Sequence, residues 1–323
     1  MIRYSVVVLL FLVGLPLVAP VQARMPRPEP IEREHFTLYL DNPHLSDRVD
    51  SVLTHVRRRL AGLLGDSLIS RPQVFVTESE DYFKYLVGGR FPDWGAAAAI
   101  PSRSMIVLKS PEKFNVQKPL EQLLAHELAH LALAERLHGF RAPRWFDEGL
   151  AMMVSTEWSW NDNLTMGRAA VFGSFVGLND IEGLNRLGQS RAHQSYAQSY
   201  LAVKYFYDEY GAAQVRLFLD SLATGTKMDL ALRAATGADS HEFETELFES
   251  FRQRYNLTAL LMDTMFIWLG LALVVVIAFI MRYNKRRAYY KKWAEEEKLH
   301  STDFDYGDSD NPEQVDDDEP WRG

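Results

Sequence analysis

Residues 119–139, PLEQLLAHELAHLALAERLHG, constrain this chain more than any other stretch, because two histidines interrupt what is otherwise a buried helix. Leu120, Leu123, Leu124, Leu128 and Leu131 supply an apolar face, Pro119 suits the first turn, and Gly139 suits the left-handed residue that ends it. At 3.6 residues per turn, His126 and His130 project from one face about one turn apart. That spacing lets two imidazole nitrogens hold one zinc ion, and Glu127 beside them is suited to take a proton from water. Any fold of this chain must therefore bury the helix yet leave these side chains an open cavity.

A second segment fits the first. Residues 143–151, PRWFDEGLA, place a proline at a helix start, then aromatic residues, then a carboxylate. Catalytic zinc uses three protein ligands and an open fourth position, and His126, His130 and Glu148 make a His-His-Glu set. A structural site would close the fourth position with another His or Cys.

HELAH followed by WFDEGLA resembles the gluzincin metallopeptidases, in particular the peptidase-MA-like group related to the aminopeptidase N and thermolysin types. The resemblance implies a zincin-like α+β fold, a Zn2+ cofactor, a protein or peptide substrate, Glu127 as general base and Glu148 as third metal ligand. The metzincin pattern HExxHxxGxxH fails, with Leu133 at its glycine and Arg136 at its third histidine. Residues 196–199, YAQS, resemble the aminopeptidase YxKG segment, which implies Tyr196 as the oxyanion donor, although Gln198 and Ser199 replace the lysine and glycine. Tyr200 and His193 are substitutes, and the plain alternative is that Tyr196, Tyr200 and Tyr207 are core aromatics at helical spacing. The aminopeptidase GxMEN motif has no carboxylate in its nearest counterpart, GAAAA at 95–99. This favours an endopeptidase over an aminopeptidase; a catalytically silent zincin-like scaffold or binding subunit is the non-enzymatic alternative. Asp147 is suited to orient an imidazole, whereas Met152 stands where thermolysin types carry their orienting aspartate, so that acid is open.

Upstream, residues 1–23 have one early positive charge, an apolar run and a small-residue ending, the layout of a signal peptide, cleaved or kept as an anchor. Residues 24–34 read as a proline-rich linker, with the peptidase domain at 35–256. Its first part, 35–110, alternates strands at 36–40, 73–77 and 104–108 with helices at 46–64 and from the Ser79 cap to 86. In the 46–64 helix, Leu53, Val56, Leu60 and Leu63 face inward. The second part, 111–256, is mostly helical, with a loop at 157–163 and helices from 193 to Gly211, near 213–222, 228–235 and 241–255. By resemblance the small mixed sheet packs on the HExxH helix, and residues 95–101 or the strand after them form the rim that an extended substrate pairs with. Read from the residues alone, 95–101 is equally an ordinary hydrophobic turn.

Residues 264–281 are uncharged and span roughly 27 Å as a helix, enough to cross a hydrocarbon core. Arg282, Lys285, Arg286, Arg287, Lys291 and Lys292 follow, so the positive-inside rule puts a cytoplasmic tail after a single inner-membrane span and the catalytic domain in the periplasm or outside the cell. The tail, 282–323, reads as basic then acidic and disordered, either a docking segment for a cytoplasmic partner or only a solubilising one. Part of the formal net charge of −8 lies in that tail, and no basic, aromatic-rich surface suggests nucleic acid. There are no cysteines, which excludes disulfides, thiol catalysis and cysteine-held metal.

Overall fold

A computed structural model of the chain describes residues 27–65, 70–88, 95–186, 189–255 and 265–299. The signal-peptide reading of 1–23 and the acidic end of the tail lie outside the described residues. The chain divides into two compact units, Met1–Leu257 and Thr258–Gly323.

In the first unit a five-stranded sheet has the order β1-β2-β3-β5-β4, with β1 Pro30–Glu32, β2 Thr37–Leu40, β3 Gln73–Thr77, β4 Ala97–Ile100 and β5 Met105–Lys109. The central strands β2, β3 and β5 run parallel, and β1 and β4 close the two edges antiparallel. Period-2 alternation explains why the sheet is covered on both faces. Leu38, Leu40, Val74, Val76, Ile106 and Leu108 point into the main core, while Tyr39, Phe75, Met105 and Val107 meet Tyr82, Phe83 and Leu86 of helix α2, Glu80–Val87. Ser79 caps that helix by accepting from the Tyr82 N–H, as its sequence position implied.

Helix α1, Ser46–Leu64, joins β2 to β3 and buries Val49, Leu53, Val56, Leu60 and Leu64. Leu63, expected inward, is only half-buried, because the stripe drifts round the helix to Leu64 at its last residue. Helix α3, Leu120–Arg136, carries the histidines and lies against α1, β4 and β5. It is followed by α4 Arg144–Ser155, α5 Trp160–Phe172, α6 Gln189–Ala223, α7 Met228–Thr236 and α8 Ser240–Arg254. Gly211, at φ 80°, breaks the helical path within α6, where glycine alone avoids the left-handed penalty. Leu38 and Ile106 of the sheet share one core cluster with Leu124 of α3, Trp145 of α4 and Phe206 and Phe218 of α6. The boundary at 110 therefore marks a change of secondary structure within one core.

Other expectations change. The 24–34 linker contains strand β1, and Arg27 lies 3.9 Å over the Tyr39 ring, so ordered packing begins before His35. The loop at 157–163 shrinks to 157–159, because Ser159 and Asp162 form a reciprocal capping box that starts α5. Of the two readings left open for 95–101, the turn falls away, because residues 97–100 form a strand at the sheet edge.

In the second unit, helix α9, Met265–Leu299, is long and apolar enough over its first half to cross a membrane. It continues through the basic residues 282–299, which were expected to be disordered; Lys292 and Glu296 pair one turn apart at 3.9 Å.

Candidate metal centre

Helix α3 presents His126 and His130 at its middle, their rings 4.9 Å apart and nearly perpendicular. Helix α4 brings Glu148 opposite them: its Oε2 lies 3.7 Å from His126 Nε2 and 3.9 Å from His130 Nε2. One ligand atom from each of the three residues lies within 4.8 Å of the others, a group that could hold a metal ion. Two donors bound tetrahedrally at about 2.0 Å stand about 3.3 Å apart, so small side-chain rotations close this set onto one ion.

The opposite edge of each imidazole is also satisfied. His130 Nδ1 is 2.6 Å from Asp147 Oδ1, and His126 Nδ1 is 2.9 Å from Glu157 Oε1. A carboxylate can only accept, so each neutral ring carries its proton on Nδ1 and turns the Nε2 lone pair towards Glu148. Asp147 thus takes the orienting role its position suggested. Glu157, and not a residue at position 152, brings the second carboxylate against an imidazole. It stands two residues beyond the end of α4, where Thr156 adopts a left-handed conformation at φ 56° and turns the chain back beneath α3. Ser155 Oγ donates to Glu157 Oε1 at 2.8 Å, and Lys118 Nζ reaches Glu157 Oε2 at 2.5 Å. Arg59 of α1 donates to the Met153 and Val154 carbonyls and fixes the end of α4.

The electrostatics of the group favour added positive charge. Four carboxylates, Glu127, Asp147, Glu148 and Glu157, face two cations, Lys118 and Arg144, around the two imidazoles. Burial disfavours the charged imidazole of His130, but Asp147 and Glu148 outweigh it and push the ring up to about 10. His126 is likewise raised: burial opposes this, and Glu148 and Glu157 prevail. Glu157 is held down to about 2, because His126 and Lys118 outweigh the burial that would raise it. Glu148 is also lowered, against burial, by His126, His130 and Arg144. The cluster therefore favours added positive charge, as imidazolium protons or as a divalent cation.

The group opens on a cleft of about 1480 Å³. Ala96, Ala97, Ala98 and Ala99 line one wall, so the outer edge of β4 borders the site. Glu127 lines the cleft and is largely buried. Tyr196 also lines it; burial pushes its phenol up, Glu148 adds to this, and Arg144 opposes. Tyr200 instead stacks on Trp158 at 4.7 Å. His193 reaches the cleft with its Nε2 3.3 Å from the buried Asp162.

The two departures from the YxKG pattern have structural explanations. Gln198 is buried and exchanges two hydrogen bonds with the Val176 backbone, tying α6 to the chain after α5. Ser199 lies where α6 crosses α4 over Gly149, and a Cβ on that glycine would collide with the Ser199 carbonyl. This close crossing brings Tyr196, three residues earlier, into the lining of the cleft that holds Glu148.

The Peptidase MA superfamily matches residues 89–252, and the chain belongs to that superfamily. Among solved structures it is similar to an M1 zinc metallopeptidase from Deinococcus radiodurans, determined as a glutamate-to-alanine mutant, at 12% identity and a TM-score of 0.39. The similarity covers 71% of this chain and 51% of that one, so the chain spans about half the length of that protein. Comparison with curated proteins gives no match.

Proposed function

We propose that this protein is a zinc-dependent endopeptidase, with His126, His130 and Glu148 as the metal ligands. The observation that carries the reading is the convergence of two imidazole Nε2 atoms on Glu148 Oε2, each ring backed by its own carboxylate. Borderline-soft nitrogen donors with one carboxylate suit zinc better than the all-oxygen sets of calcium or magnesium. Zinc bound there would supply a Lewis acid that polarises the scissile carbonyl and makes water more acidic.

The chain's own residues supply the rest. Glu127, next to His126 on α3, accepts a proton from the attacking water and passes it to the departing amine. The Tyr196 hydroxyl donates to the carbonyl oxygen as negative charge develops there. The open edge of β4 offers main-chain hydrogen bonds to an extended polypeptide. Its alanines carry no carboxylate to receive a free amino terminus, which supports internal cleavage over removal of terminal residues. An aminopeptidase would need that carboxylate from another wall of the cleft.

The same reading gives the chain a signal peptide at 1–23, a membrane span at 264–281, an extracytoplasmic catalytic domain and a cytoplasmic tail. The supports are the apolar first half of α9, its exposed side chains, and the cations that follow. The test is mass spectrometry of casein after incubation with the zinc-loaded, full-length protein in detergent. Internal fragments are expected. Stepwise loss of single amino-terminal residues would favour the aminopeptidase alternative, and intact casein the silent scaffold.

A further inference from the structure

Arg144 stands at the first residue of α4, one turn before Glu148, and its Nη2 lies 3.0 Å from Glu148 Oε1. The other oxygen, Oε2, is the one facing both imidazoles. Tyr196, a residue of α6, lines the same cleft as Arg144 and Glu148. The backbone N–H of Arg144 donates to Glu182 Oε1 at 2.7 Å, so the first turn of α4 is fixed from outside the helix. We propose that Arg144 is a positioning residue that commits Glu148 to binding metal through one oxygen and couples that carboxylate to the Tyr196 hydroxyl. The proposal rests on the zinc peptidase reading above and names a residue that the motif HELAH…WFDEGLA does not include.

The physical reason lies in the two equivalent oxygens of a carboxylate. With both free, Glu148 could turn either or both towards a metal, and a two-oxygen grip would occupy the position a substrate needs. A guanidinium engages two acceptors in a fixed plane, so one side chain can hold Oε1 back and keep the phenol aligned with it. A cation so close to a metal ion costs Coulomb energy, but four carboxylates share the site with Arg144 and Lys118. Orientation therefore outweighs repulsion.

The test compares the full-length protein with R144M and R144K in detergent. Zinc dissociation constants are read by competition with a fluorescent chelator, and kcat and KM on a quenched peptide cut from casein. R144M is expected to bind zinc about 10–100-fold more weakly, the range for removing a partner of a metal ligand. Lysine can reach Glu148 but presents no planar fork to span both groups. R144K is thus expected to recover zinc binding to within a few-fold while kcat stays at least about tenfold low at unchanged KM. Parent-like zinc affinity in R144M, or full recovery of kcat in R144K, overturns the proposal. If R144M does not fold, the kcat and KM of R144K decide alone. A parent that binds no zinc would sink the peptidase reading itself, whereas a zinc-binding parent matched by R144M removes only the role of Arg144.

Discussion

Glu157 Oε1 lies 2.9 Å from His126 Nδ1, although the two residues are 31 positions apart and Glu157 sits outside any helix. This contact makes the first turn after α4 part of the candidate metal centre. Glu157→Gln keeps the size of the side chain but exchanges a charged acceptor for a neutral one and leaves Lys118 without its partner. Zinc affinity should fall about 10–100-fold, measured by chelator competition. Unchanged affinity would show that the contact does not orient His126.

Gly149 is required by the crossing of α4 and α6. A methyl group there would collide with the Ser199 carbonyl and come within 2.7 Å of Val203 Cγ2. Gly149→Ala should therefore destabilise the protein by about 1–3 kcal/mol, or more if the helices cannot part. Denaturant unfolding of the metal-free protein reads this, and a parent-like midpoint would contradict the packing described.

Tyr196→Phe removes only the hydroxyl from the cleft wall. Zinc content and KM should stay within a few-fold of the parent, while kcat falls about 10²–10³-fold. The same loss on changing Tyr200 instead would reassign the donor, against the stacking of Tyr200 on Trp158.

The histidines give the metal-free protein a distinctive pH dependence. The folded pKa of His130 lies near 10, above its ordinary 6.5, so this group's stabilisation is complete below about 6.5 and is lost as pH rises towards 10. Glu157 acts oppositely, contributing above its ordinary 4.5 and losing its contribution as pH falls towards 2. Thermal melts of the metal-free protein should lose midpoint between about pH 6.5 and 10. Zinc should flatten that fall, because the ion replaces the protons as the positive charge of the site. Identical slopes with and without zinc would contradict the assignment.

Local patterns carried much of this architecture. The β3 strand at Gln73–Thr77 and the α1 helix at Ser46–Leu64 occur at the expected residues, because each buries one side at a clear period. His126, His130 and Glu148 converge because HELAH and DEGLA each lock a side chain to a helix face, and the short segment between them folds α4 back on α3. Glu157 and Arg144 were not legible as site residues. An ionic residue beside a helix end is ordinarily a solvated charge; Glu157 reaches His126 only through the left-handed turn at Thr156, and the pairing of Arg144 with Glu148 gains its meaning only because Glu148 faces the two histidines. Strand β1 was hidden by proline-rich composition, which an edge strand tolerates because one side of its backbone needs no partner. Helix α5 was hidden by the polar run that caps it.

The most direct measurement compares the full-length protein with Glu127→Gln for zinc content by elemental analysis and for casein cleavage in the same preparations. The account predicts about one zinc in each, since Glu127 is not among the ligand group, and at least about a hundredfold less cleavage by the variant. Cleavage that survives the substitution, or a parent that binds no zinc, would contradict it.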